Sequence, residues 1–231
     1  AEDGGRVLLV CYNIPLAEWL RDEVRARDVA IDVFHFHGLC EHVVRSTGGH
    51  FDVPGEDPEE FWNVAAPEMF QDAIVSFADR YDALLVDEAQ DFCEHWWIPL
   101  EELLVDRLES HFYVFFDPRQ NIFHRENELP FTEPVLLLDM NCRNTLPIAE
   151  FVHDLVGLEA PTLRQSDEGQ PPVVQHVDSD DQERAAMGEV LNELIEEREI
   201  DPSRIVIVGR FRFENTVFAD QPELGGVHVV D

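Results

Sequence analysis

Asp82-Ala83-Leu84-Leu85-Val86-Asp87-Glu88-Ala89-Gln90-Asp91 is a short apolar run that empties into an acidic pair, then a glutamine and a further aspartate. A run this short, flanked by polar residues, reads as a buried parallel strand. The C-terminal end of such a strand is where open α/β sheets place their ligands. Two carboxylates there can serve a nucleotide in two ways. One holds Mg²⁺ through its water shell, and the other orients or deprotonates an attacking water. An isolated Asp-Glu pair more often marks only the chain's arrival at solvent, but the full Asp-Glu-Ala-Gln-Asp string is more specific.

Outward from this stretch, strand-like and helix-like segments alternate, which argues for an α/β architecture with a parallel sheet. Arg6 to Tyr12 reads as a strand and Pro15 to Arg27 as a helix with proline near its first turn. Ala30 to Phe34 is a second strand, leading into a helix from Gly38 to Arg45. Ser46 to Asn63 is rich in Gly, Pro and acid and reads as a loop, and Ala66 to Arg80 as a helix. Beyond the acidic strand end come a helix at Trp97 to Leu108 and strands at Phe112 to Phe116 and Val135 to Leu138. Trp96-Trp97 is assigned to helix packing. Leu146 to Val156 is an amphipathic helix, and the proline-rich stretch Glu159 to Pro172 is the best linker. A strand (Val173 to Val177), an acidic helix (Asp180 to Glu199), a strand (Arg204 to Val208) and a strand-like piece from Val227 complete the chain. The abrupt beginning and end read as those of an excerpt from a larger protein.

The 231 residues allow one large domain or two modest ones, and an apolar share of 45% is ordinary for a globular chain. The charge is not ordinary. Forty-nine acidic residues face 16 basic ones, all arginine, for a net −33. Such an excess of one sign brings self-repulsion and poor affinity for polyanions. A lysine-free carboxylate surface points to a halophilic source, since molar salt shrinks the Debye length to about 3 Å. Residues 1–50 carry a net −3 and residues 51–110 a net −15, so the first stretch is the least hostile to a polyanion. Cys11, Cys40, Cys93 and Cys142 are widely spaced beside apolar residues and read as buried free thiols in a reducing compartment. No signal peptide or membrane-length apolar run is present, so a cytoplasmic location with no membrane partner is expected.

Further segments bear on chemistry. Val114-Phe115-Phe116-Asp117-Pro118-Arg119-Gln120-Asn121-Ile122-Phe123 is a strand running into Asp-Pro-x-Gln, where a glutamine can bridge a γ-phosphate and a neighbouring ligand. Leu138-Asp139-Met140-Asn141-Cys142-Arg143-Asn144-Thr145 sets one arginine just before a helix. Its rigid fork suits phosphate; the plainer alternative is a capping turn with Asn144 or Thr145 as the cap. Tyr12-Asn13 and Phe36-His37-Gly38-Leu39-Cys40 follow the first two strands, where aromatic and small polar groups can stack bases or bind phosphates. His35, His37, Cys40 and His42 are four possible zinc ligands, but without the paired spacing zinc sites use.

In combination these segments resemble the UvrD/Rep/PcrA-like superfamily 1 DNA helicases, over residues 6 to about 157 and loosely beyond. Tyr12-Asn13 matches motif Ia, Phe36-His37-Gly38-Leu39 motif Ib, and Asp87-Glu88-Ala89-Gln90-Asp91 motif II, the Walker B segment. Asp117-Pro118-Arg119-Gln120 matches motif III, and Asn141-Cys142-Arg143-Asn144 motif IV. The resemblance implies a RecA-like (P-loop NTPase type) parallel sheet flanked by helices at residues 1–145. It places a linker helix and part of a second RecA-like domain at 146–231. It implies ATP-dependent movement on single-stranded DNA, with Asp87 on Mg²⁺ and Glu88 activating the hydrolytic water. Gln120 would couple the γ-phosphate of ATP to DNA, and Arg143 would act as an arginine finger. Tyr12, Asn13 and His37 would lie along the DNA.

The sequence also departs from the family. The Gly-rich P-loop with its lysine is not among these residues, and neither are motifs V and VI. His35 stands where motif Ib usually has Thr, and Cys142 where motif IV usually has Tyr. The expectation is an internal fragment of a helicase, inactive alone as an ATP hydrolase. A catalytically dead helicase-like scaffold or partner-binding protein is the alternative.

Overall fold

Ala83–Val86 forms strand β3 because its apolar residues are covered on both faces: Leu84 and Val86 are fully buried, Ala83 and Leu85 partly so. In the computed structural model it lies inside a four-stranded parallel sheet of order β2-β1-β3-β4. The other strands are β1 (Val7–Cys11), β2 (Ile31–His35) and β4 (His111–Val114). The structure describes residues 4–55, 58–121, 129–131, 134–138, 140–157, 162–163, 169–209, 213–219 and 222–229. The chain divides into two compact units, Ala1–Val135 and Leu136–Asp231.

The first unit is an α/β layer structure. Helix α1 (Ile14–Ala26) connects β1 to β2, and α2 (Phe36–Ser46) follows β2 directly. A short turn α3 (Pro58–Glu60) continues through a π-helical turn at Phe61–Ala65 into α4 (Ala66–Ile74). After β3 comes α5 (Trp97–Glu101). The chain steps from β1 to β2 in one direction, then back across β1 to β3 and β4. Right-handed crossovers therefore put α1 on one face of the sheet and α2, α4 and α5 on the other. The core lies on the second face, where Leu8, Val10, Leu84 and Val86 meet Phe36, Leu39, Phe70, Ile74, Phe92 and Trp96.

Three local expectations change. Residues 58–63, expected as the end of a loop, are helical, since Phe61 is buried and packs against Phe51. Helix α4 stops at Ile74, not Arg80. The helix begun at Trp97 ends at Glu101 instead of Leu108. Leu103 and Leu104 are buried there, and the backbone pairs with Tyr81: Tyr81 N–H donates to the Leu103 carbonyl at 2.8 Å and Val105 N–H to the Tyr81 carbonyl at 2.9 Å. Burial of two leucines beside the start of β3 thus overrides the helical periodicity.

The second unit holds β5 (Met140–Asn141) paired in parallel with β6 (Thr162–Leu163), helix α6 (Leu146–Val156) and helix α7 (Asp180–Asn192). Gly157, at φ 69°, closes α6 in the left-handed conformation that costs a glycine nothing. A π-helical turn at Glu193–Glu197 extends α7, and β7 (Glu223–Leu224) and β8 (Val227–His228) form a small hairpin. Leu191, Phe218 and Leu224 centre a small core with Ile205 and Ile207 against it. The strands expected at Val135–Leu138, Val173–Val177 and Arg204–Val208 are not formed. Ile205 and Ile207 are covered while Val206 and Val208 are 80% and 90% exposed, so the alternation is realised without a ladder to pair with. The expected linker Glu159–Pro172 lies largely outside the described residues, as do Ile122, Phe123 and Asp139. Among the described residues no helix is long and apolar enough to cross a membrane.

Candidate active site

The register of the first sheet aligns its strand ends. Cys11 pairs with His35, Val10 with Val86, and Val86 with Val114, so Tyr12, Phe36, Asp87 and Phe115 all leave at one edge. That edge is the carboxyl edge, and the reversal of strand order falls between β1 and β3. A crevice at such a switch point is where open α/β sheets bind ligands. The four segments singled out in the first unit therefore converge on one rim.

Asp87 extends β3 by one bond, its N–H donating to the Val10 carbonyl at 2.9 Å. Its Oδ1 accepts the Glu88 N–H at 3.0 Å. Burial holds the Asp87 carboxyl above the usual carboxylate range, and the neighbouring Glu88 charge adds to the rise against that hydrogen bond. Glu88 itself adopts φ 52°, ψ 45°, the left-handed region that side-chain-bearing residues rarely enter. From there Ala89 N–H turns back to the Phe115 carbonyl at 3.0 Å, stitching the exit of β3 to the exit of β4. The buried Cys11 thiol is pushed up to about 12, first by burial and then by the Asp87 charge, so it is inert at neutral pH.

Asp117 caps the turn Pro118–Gln120: its Oδ1 accepts Arg119 N–H and its Oδ2 accepts Gln120 Nε2, both at 2.9 Å. Gln90, buried just after Glu88, donates from Nε2 to Glu88 Oε2 and accepts the Asp117 N–H at 3.0 Å. The structure thus brings Asp87, Glu88 and the Gln120 turn together through Gln90 and Asp117. Neither connector was assigned a role from sequence; the signal was the Gln inside the Asp-Glu-Ala-Gln-Asp string.

Tyr12 is half-buried, its ring stacked on Trp96 at 6.0 Å between centroids and edge-on to His37 at 5.9 Å. Trp96 is fully buried and also stacks on Phe36 at 4.0 Å. Packing is therefore its role, as expected, but it also supports the tyrosine at the rim. Asn13 caps α1, Oδ1 accepting the Leu16 N–H at 3.0 Å. His37 Nε2 lies 2.8 Å from the Trp62 carbonyl. His35 caps α2 by accepting Gly38 N–H on Nδ1 at 3.2 Å. Cys40 is buried, and His42 packs on Phe34 and Phe77. No group of three metal-ligating side chains occurs among the described residues.

Arg143 belongs to the second unit. It is exposed, and Asn141 Oδ1 accepts both the Arg143 and Asn144 N–H groups at 3.1 Å. Asn141, rather than Asn144 or Thr145, is thus the side chain that organises this turn; Thr145 stands at the start of α6 without a capping bond. Cys142 is exposed, in contrast to the buried thiol expected.

A cavity of about 550 Å³ lies at the opposite end of the first sheet, lined in part by Arg6, Arg21, Arg25 and Asp32. Its guanidiniums are engaged: Arg6 by Asp32 and Asp79, Arg21 by the Val33 carbonyl, Arg25 by Asp22. The carboxyl edge, with its strained glutamate and raised aspartate, is the better candidate for chemistry. No protein-family model matches the sequence, and no curated protein matches it.

Proposed function

We propose that this chain is part of an ATP-dependent DNA translocase of the superfamily 1 helicase type, with its first unit a RecA-like motor domain. The observation that carries the reading is the pairing of Asp87 and Glu88 at the switch point, with Gln120 tied to them across the neighbouring strand end. Asp87 fits a Mg²⁺ delivered with nucleotide phosphates rather than caged by protein. It is a partly buried carboxylate with a raised pKa beside a second negative charge, and no three-ligand cluster surrounds it among the described residues. When bound, Mg²⁺ would neutralise charge on the transferring phosphoryl group. Glu88 would hold and deprotonate the attacking water, and Gln120 would report nucleotide state to the rim. Tyr12 would offer a ring face to a base, backed by Trp96. Arg143 remains the proposed arginine finger.

The 231 residues carry no lysine and no Gly-rich phosphate cradle, so they supply the Walker B half of the site. That same fact favours a second reading, a helicase-like scaffold that hydrolyses nothing. ATP hydrolysis separates the two, measured in molar KCl with and without single-stranded DNA on the polypeptide that joins these residues to a phosphate-binding loop. The motor reading expects DNA-stimulated turnover that Glu88→Gln reduces by about 10²–10⁴-fold, the usual worth of a general base. A well-folded protein with no turnover would leave only the scaffold.

A further inference from the structure

We propose that Gln90 is a positioning residue: its buried amide joins Glu88 to the Asp117–Gln120 turn, so that the exits of β3 and β4 respond as one unit. Gln90 is 4% exposed and is the one buried polar or charged side chain among the described residues. An amide placed there without partners would carry the full cost of its desolvation, so its two ends must be satisfied. They are satisfied by two different strand ends. Nε2 donates to Glu88 Oε2, and Oε1 accepts the backbone N–H of Asp117 at 3.0 Å. Asp117 then passes the constraint on, since its Oδ2 accepts Gln120 Nε2 at 2.9 Å.

Few side chains fit this position. It needs a donor and an acceptor on one rigid plane, which an amide supplies. Leucine would fill the space but leave the Asp117 N–H and the Glu88 carboxylate without these partners. Glutamate would keep the acceptor for Asp117 and set a second carboxylate against Glu88. The link also explains how Glu88 is held in a left-handed conformation: its side chain is anchored by Gln90 while its neighbour Ala89 is anchored by Phe115. Hydrogen bonds in series polarise one another, so a change at Glu88 is transmitted to Asp117 and Gln120.

The functional meaning of the link rests on the nucleotide reading above, but the link is a property of this chain and can be measured on it. Glu88→Gln serves as the perturbation, with the Asp117 backbone amide and the Gln120 side-chain NH₂ read by ¹⁵N NMR. In the wild-type background both signals should shift. In a Gln90→Leu background the shift at both should fall by at least about half, because only the direct field of the lost charge remains. Equal shifts in the two backgrounds would overturn the proposal. Should Gln90→Leu fail to fold, Gln90→Met, unbranched like glutamine and equally without the amide, replaces it. There too the response at Asp117 and Gln120 should fall by at least about half, and an undiminished response would again overturn the proposal. Turnover reports on the other question. In the polypeptide carrying a phosphate-binding loop, Gln90→Glu should lower kcat about ten- to a hundredfold with little change in KM. Absence of wild-type turnover would remove the nucleotide reading and leave the NMR result standing.

Discussion

Glu88 concentrates what is unusual at the residue scale. A non-glycine residue in the left-handed region costs roughly 1–2 kcal/mol, and such strain gathers at functional sites. Asp28 and Glu199 share the conformation, but each follows the end of a helical segment, where the chain commonly turns this way. Glu88 alone of the three adopts it directly after a strand and beside a second carboxylate. His35 is the residue with a consequence for pH. Burial holds its imidazole below the ordinary histidine value of 6.5, with the Arg21 charge contributing, and the neutral Nδ1 caps α2. Because the folded-state pKa is depressed, the unfolded chain binds the proton first. The stability His35 contributes is present above about pH 6.5 and is lost as pH falls through the depressed folded value. Urea midpoints at pH 7.5 and 5.5 should therefore drop on acidification. His35→Asn, which keeps a capping acceptor but cannot titrate, should flatten that dependence; an unchanged slope would assign it to other groups.

At the scale of elements, capping residues set where helices begin even where the chain looks functional. Asn13, which the resemblance places along the DNA, also has a structural duty as the N-cap of α1. Asn13→Ala should cost about 0.5–2 kcal/mol by denaturant melting, the range for losing an N-cap. A smaller loss would mean that Pro15 and the packing of Ala17 already fix the start of α1. Ser179 does the same for α7, accepting Gln182 N–H at 3.3 Å. The strands of the first unit and the start of α1 were legible because the strands are short apolar runs and α1 carries an Asn cap with proline in its first turn. The helix from Trp97 ends well before Leu108 because Leu103 and Leu104, which satisfy a helical pattern, are buried where the backbone pairs with Tyr81. Local periodicity cannot weigh the pairing of Leu104 with Tyr81, far earlier in the chain.

Over the whole molecule the dominating quantity is charge. Among the described residues Arg6, Arg25, Arg27, Arg45, Arg107 and Arg198 form ion pairs with carboxylates, against 49 acidic side chains in the chain. Exposed pairs of this kind are worth about 0–1 kcal/mol each, too little to offset the repulsion of a net −33. Molar salt screens that repulsion. Circular dichroism across KCl concentration should show helical signal lost in dilute buffer and recovered toward molar salt; full folding in dilute buffer would end the halophilic interpretation. The sequence by itself determined the alternation of strands and helices, the parallel sheet and the acidic strand end, because periodicity, caps and composition are local. Only the tertiary structure decided that four separate strand exits share one edge, that Trp96 backs Tyr12, and that Gln90 and Asp117 join Glu88 to Gln120. Those facts depend on strand order and register, which are set by packing between residues far apart in the chain.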